Sequence, residues 1–308
     1  MREFLIKWGL FLISLLSVGI CMEIAIQNIP NEYKEKSMYL KRELPNIETL
    51  ILGNSHVLYG IKSEELKDPS FNLGHVSQSI DIDQKLLEKF GSKMPNIKQV
   101  IVNLSYFSLR EILATTEEAW RIDKYHQHYD IEINRKWTNA FDLLRLPFNF
   151  NITRIKEYYL YGKKEIWITP TGWSNKYNTT NSSEFLNSSG KIAAKSHTVN
   201  LAEKGLINKI KTDLDRLAAW CTNRNIKLYL VSMPAHKSYR EQLDSTQWNE
   251  VISQGHIMEN SYPTTYYLNW MADPNFSDED FHDGDHLSER GAKKLTKRLQ
   301  AFIDSVEN

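Results

Sequence analysis

The chain has 308 residues, 41% hydrophobic and 25% charged, which suits one globular domain of generous size. Lysine plus arginine and aspartate plus glutamate both total 38, so no net field draws the chain to nucleic acid, and no basic stripe with interleaved aromatics is there to read it. Eight tryptophans and fifteen tyrosines are many, though such side chains fill cores more often than they stack on sugars.

Arg2 and Lys7 flank the start of an apolar run from Trp8 to Met22, which Ile24, Ala25 and Ile26 extend beyond Glu23. Counted through Ile26, the run approaches the ~20 residues a helix needs to cross a bilayer. Counted to Met22, it has the length of a signal-peptide core. No small-x-small cleavage site follows, and Ile20 is a poor residue ahead of a lipid-modified Cys21. We therefore read residues 1–30 as an uncleaved, single-pass membrane anchor. Arg2 and Lys7 favour a cytoplasmic N-terminus and an exoplasmic (periplasmic or extracellular) soluble domain. Lys34, Lys36, Lys41 and Arg42 pull the other way. Cys21 lies in the anchor and Cys221 stands alone in the soluble part, so no disulfide forms within that part, which fits either compartment.

Residues 31–46 form a charged, helical stalk, and residues 47–308 the main domain. Strands are predicted over Thr49–Leu52, Ser70–Leu73, Gln99–Leu104, Ile226–Val231 and Tyr266–Trp270. Helices are predicted over 79–90, with Ile80, Leu86, Leu87 and Phe90 on one side, and over 200–223, with Leu201, Leu206, Ile207, Ile210, Leu214 and Leu217 at helical spacing. Ser288 caps a final helix whose apolar face carries Ala292, Leu295, Leu299, Phe302 and Ile303. Apolar strands separated by helices imply an α/β fold, a mainly parallel sheet covered on both faces. Ligands of such sheets bind beyond the carboxyl ends of the strands. Ser55, Gly74 and the residues after Leu104 fall on that edge. Residues 111–199, rich in Trp, Tyr, Asn and Lys, break the pattern and read as an insertion. It serves either as a lid or recognition element or as a structural elaboration.

Three short stretches carry chemistry. In LILGNSHVLYGI, residues 50–61, a buried strand runs into Gly53-Asn54-Ser55-His56. Turns favour such residues, but a serine displayed there can also act as a nucleophile if a base removes its proton and a third group orients that base. His56 is adjacent, and neighbours at a sharp turn point apart, so we assign it to shaping the turn. In FHDGDHLSERGA, residues 281–292, Asp283 precedes His286 by three positions. A carboxylate at that spacing reaches around one turn to hold an imidazole nitrogen and leaves the other for Ser55. Asp285, directly before His286, should diverge from the ring. Alternatively, the aspartates of this polar loop favour the N-terminus of the helix that follows. In FNLGHVSQS, residues 71–79, Gly74 lets a backbone N–H approach a substrate oxygen. With the Ser55 N–H it makes a two-donor oxyanion hole; a plain turn glycine is the competing reading.

Taken together, GNSH (53–56), NLG (72–74) and DGDH (283–286) resemble the first, second and last sequence blocks of the SGNH, or GDSL-type, hydrolase superfamily, over residues 47–110 and 200–305. The resemblance implies a three-layer α/β/α, flavodoxin-like fold, no metal or cofactor, and ester hydrolysis or acyl transfer through an acyl-serine. Ser55 would be the nucleophile, His286 the base, Asp283 its partner and Gly74 an oxyanion donor. Within the superfamily the anchored branch acts in the envelope on O-acyl, above all acetyl, esters of polysaccharide, sometimes with a membrane partner that delivers acyl groups. One departure stands out: VIVNLSYFSL, residues 100–109, lacks the usual Gly-x-Asn, so either Ser105 donates instead or the hole has two donors. A lipid or thioester acyl hydrolase, and a non-catalytic scaffold or glycan-binding module, are the competing functions.

Overall fold

A computed structural model describes residues 1–133, 141–164, 166–199 and 203–307. The chain forms two compact units, Met1–Ser37 with Ala119–Ile166, and Met38–Glu118 with Trp167–Asn308. The stretch expected to be one insertion is therefore divided between them, and residues 134–140 and 165 of it lie outside the described residues.

In the first unit, helix α1 (Arg2–Asn28) is long and apolar enough to cross a membrane. Only Glu23 and Ile26 of α1 are buried. Helix α2 (Glu32–Glu43) follows and continues past the end of this unit. Helices Asp142–Arg145 and Phe148–Ile155 pack on α1. Asp142 organises the join. Its carboxylate takes Lys124 Nζ at 2.8 Å and Arg154 Nη1 at 2.9 Å, and these two cations hold it near pKa 2 against the opposing effect of burial.

The second unit carries a five-stranded, wholly parallel sheet: β1 (Thr49–Leu52), β2 (Ser70–Asn72), β3 (Gln99–Asn103), β4 (Lys227–Ser232) and β5 (Thr265–Asn269), in the order β2-β1-β3-β4-β5. Strand residues are buried on both faces, as a doubly covered parallel sheet requires. Ile51, Ile101, Tyr229 and Val231 join Leu295, Leu299 and Ile303 of the C-terminal helix Glu289–Glu307 in one core cluster. Their strand neighbours Leu50, Leu52, Val100, Leu228 and Leu230 point to the other face. Helix α3 (Ser55–Gly60) packs with the C-terminal helix, and helix α4 (Ile80–Gly91) packs with the helix Lys204–Thr222.

Predicted strand and helix ends agree with these to within a few residues; Asn200 and Leu201 of the predicted 200–223 helix lie outside the described residues. Among the helices that escaped the sequence reading are α3, Ser183–His197 and Ser245–Ser261. The first is a single short turn with no periodicity to detect. The second sits in a Ser- and Asn-rich stretch that reads as loop. Ser182 caps it by accepting the Phe185 N–H at 3.2 Å.

Candidate active site

In an order of β2-β1-β3-β4-β5 the connections reverse direction between β1 and β3, and the crevice beyond their carboxyl ends is where such sheets take ligands. β1 leaves the sheet at Gly53, whose φ of +128° strains any other residue; a Cβ there would lie 2.8 Å from Asn103 Cβ. The Asn54 side chain then accepts the His56 N–H at 3.0 Å and caps α3. Ser55 is the first residue of that helix, so its own N–H has no intrahelical partner.

Ser55 Oγ lies 2.8 Å from His286 Nε2. His286 stands on the loop 281–287, closed by a bridge between Phe281 and Leu287 and by the His282 N–H on His286 O at 2.9 Å. Asp283 Oδ1 accepts the backbone N–H of Asp285 (3.1 Å) and of His286 (2.8 Å), and lies 3.0 Å from His286 Nδ1. One carboxylate therefore folds the turn and orients the ring, as aspartate does when it bonds backbone two or three residues on. Gly284 lets the loop press on the helix Ser183–His197: a Cβ on it would lie 2.1 Å from Gly190 Cα. Its N–H donates to Ser189 Oγ at 3.0 Å. The structure thus brings Ser55, His286 and Asp283 together.

Asp285 does not diverge as expected. It is buried, with Oδ1 3.5 Å from His286 Nδ1 and Oδ2 3.3 Å from His56 Nε2. The tight hairpin-like loop turns the carboxylate back under both rings instead of away from them. His56 likewise does more than shape a turn. Its Nδ1 lies 3.1 Å from Ser105 Oγ, so a second chain, Ser105–His56–Asp285, runs beside the first and meets it at His286. His56, Asp285 and His286 gather ligand-type atoms within 4.8 Å of one another. Here those atoms serve the hydrogen-bonded network just described.

Both expected oxyanion donors other than Ser55 are taken up internally. The Gly74 N–H donates to Asn72 Oδ1 at 3.0 Å. Asn72 holds that orientation because its Nδ2 caps the end of α3, donating to Val57 O at 2.7 Å and Ile61 O at 3.1 Å. A Cβ at Gly74 would meet Val57 Cγ2 at 2.7 Å and Gly53 O at 2.9 Å, so close packing accounts for the glycine. Ser105 is fully buried; its hydroxyl receives Asn54 Nδ2 at 2.9 Å and bonds Asn103 Oδ1. It supports Asn54 from beneath and does not face the crevice.

Charge in this network is uneven. Burial alone lowers the His286 pKa, but the nearby Asp285 and Asp283 carboxylates outweigh it and raise the ring to about 9. Burial works against the Asp285 carboxylate too, yet His286 and His56 hold it far below the usual carboxylate range. His197, 4.0 Å from Asp285, goes the other way: burial lowers it to about 4, leaving a neutral ring whose Nδ1 lies 2.9 Å from Tyr239 Oη.

A cavity of about 550 Å³ opens beside Ser55. Asn54, Phe107 and His197 form one part of its lining, and residues 111–118 supply Glu111, Glu117 and Glu118. That wall is tethered by Ser77, whose hydroxyl donates to Glu118, and by the Leu113 N–H, which donates to Ser79 Oγ at 3.1 Å. Among the described residues, seven serines and threonines line the cavity, its apolar lining is Phe107 and Leu113, and no lysine or arginine lines it. Burial, and then Glu118, raise the Glu111 pKa. His197 and this acidic wall had no signal in the sequence, because they come from segments with no recognisable pattern, whereas Asp285 sat in a recognised motif but was expected to diverge from the ring.

What fold and geometry define is a parallel α/β protein with a serine–histidine pair at the carboxyl edge of its sheet. No protein-family model and no curated protein matches the sequence. Among solved structures, the chain is similar to one from Streptococcus pneumonia provisionally described as a platelet activating factor. The identity is 11% and the TM-score 0.43, over 96% of this chain and 99% of the other.

Proposed function

We propose that this protein is a membrane-anchored serine esterase or O-acyltransferase acting on O-acyl, above all acetyl, esters of envelope polysaccharide. The observation that carries the reading is the Ser55–His286–Asp283 alignment, with 2.8 Å from Oγ to Nε2 and 3.0 Å from Nδ1 to the carboxylate. Neutral His286 takes the Ser55 proton as Oγ attacks the acyl carbonyl. Negative charge then develops on the carbonyl oxygen near the first N–H of α3. The tetrahedral adduct collapses, His286 returns the proton to the departing sugar oxygen, and an acyl-serine remains. Water or a second sugar hydroxyl, deprotonated by His286, releases the acyl group. Hydrolysis and transfer differ in that last acceptor alone.

The cavity supports a polyhydroxylated substrate. Carboxylates and hydroxyls accept and donate to sugar hydroxyls, whereas a fatty acyl chain would find two apolar side chains, Phe107 and Leu113. This weighs against a lipid or thioester acyl hydrolase. The Ser105–His56–Asp285 chain is a second arrangement of nucleophile type. Full burial of Ser105 and the two asparagines on its hydroxyl favour a supporting role. Residues 1–30 tether the domain, with the exoplasmic side and a membrane partner delivering acyl groups as further parts of the reading.

A serine-directed fluorophosphonate separates these alternatives. Parent and Ser105→Ala proteins should label and turn over an activated acetyl ester, and Ser55→Ala should do neither while remaining folded. Labelling of Ser55→Ala at the parental rate would refute the assignment; an inert parent protein would favour the non-catalytic scaffold.

A further inference from the structure

We propose that residues 141–161 form a lipid-facing platform beside α1, seated among the headgroups and upper acyl chains of the bilayer that α1 crosses. The proposal rests on the anchor reading of residues 1–30. It does not depend on the chemistry at Ser55.

Phe141, Leu144, Phe148, Phe150, Tyr159, Leu160 and Tyr161 are between 41% and 71% exposed, all within this one stretch. A water-facing surface rarely leaves so many large apolar side chains together uncovered. They are also fixed to α1. The Glu23 carboxylate accepts the N–H groups of Asp142 and Leu143, each at 3.0 Å, and Tyr159 Oη donates to Ala25 O at 3.1 Å. Along α1 an apolar groove runs from Leu16 past Gly19, Ile20 and Ile24, and Phe141 and Leu144 form its other wall. The exposed residues are therefore continuous with the apolar surface of the helix itself.

Geometry sets the depth. At ~1.5 Å rise per residue, Leu16 to Gln27 covers roughly 16 Å of a hydrocarbon core about 30 Å thick plus its interface. The platform thus sits at the level of the C-terminal end of the span, where tyrosines and other amphipathic rings concentrate. Exposed Lys164 follows and suits an anionic headgroup, while its neighbour Lys163 pairs with Glu157 at 3.0 Å. Aromatic residues at that depth, with a basic residue behind them, match a lipid occupant.

The test uses the full chain in nanodiscs of phosphatidylcholine and phosphatidylglycerol. A Cys21→Ser, Cys221→Ala background carries one cysteine at a time, Leu12→Cys, Leu144→Cys, Phe148→Cys, Phe150→Cys or Ile192→Cys, each labelled with an environment-sensitive fluorophore. Thermal unfolding checks that each variant folds. Labels at 144, 148 and 150 should be quenched several-fold more by shallow lipid-borne quenchers than the label at 192, and several-fold less by aqueous iodide. Iodide reaching 148 and 150 as freely as 192, with Leu12→Cys still lipid-quenched, overturns the platform and leaves the anchor standing. Iodide access at position 12 overturns both. Shielding of 144, 148 and 150 from both quenchers overturns the lipid assignment in favour of a protein cover.

Discussion

His286 lies between two carboxylates, and replacing each in turn separates orientation from charge. Asp283 is the closer partner of Nδ1, at 3.0 and 3.1 Å, while Asp285 sits at 3.5 Å and also serves His56. Asp285→Asn removes a charge and leaves the orienting contact. A unit charge at 3.5 Å attracts an imidazolium by about 5 kcal/mol at an effective dielectric of ~20. That is an upper bound, because His56 shares the carboxylate, and opposite charges at such range shift a pKa by roughly 1–3 units. The parent ring, at about 9, is neutral in about one molecule in a hundred at pH 7. Acylation in the parent should therefore climb with pH and level off near pH 9, since only neutral His286 accepts the Ser55 proton. In Asp285→Asn the plateau should begin 1–3 units lower, with a modest fall in its height as the base weakens. Asp283→Asn should lower the plateau far more, toward the ~10⁴-fold seen when a triad aspartate is lost in a serine protease. The assay is pre-steady-state acylation by an activated acetyl ester from about pH 5 to 10, read as kcat/KM for the free enzyme. An unmoved inflection in Asp285→Asn, or a plateau as low as that of Asp283→Asn, refutes the division of roles.

Two further predictions follow from packing and topology. Gly284→Ala sets a Cβ 2.1 Å from Gly190 Cα and should cost about 1–3 kcal/mol by overpacking; calorimetry should find a lower Tm together with reduced Ser55 labelling, and an unchanged Tm refutes the contact. Protease added to intact spheroplasts should degrade the soluble domain while leaving the anchored N-terminus, and protection until lysis would place that domain in the cytoplasm.

Much of the site was legible because its parts are local. A small-polar tetrad at a strand end and an Asp three residues before a His each leave a mark within four positions, and they pointed to Ser55, Asp283 and His286 as candidates. The parallel sheet was equally readable, because strands buried on both faces must be apolar throughout. The apolar N-terminal helix needed no more than composition and length. What the sequence could not supply was which atoms meet across long separations. Gly74 reads as an oxyanion donor until Asn72, turned by the end of α3, takes its N–H. Asp285 reads as a bystander until the 281–287 loop folds it beneath two imidazoles brought together from residues 56 and 286. The acidic cavity wall and the helix Ser183–His197 lie in segments whose composition reads as loop, and their placement depends on contacts such as Gly190 against Gly284. Local backbone chemistry is written in neighbouring residues; hydrogen-bond partners and cavity walls are chosen only when distant segments compete for the same space.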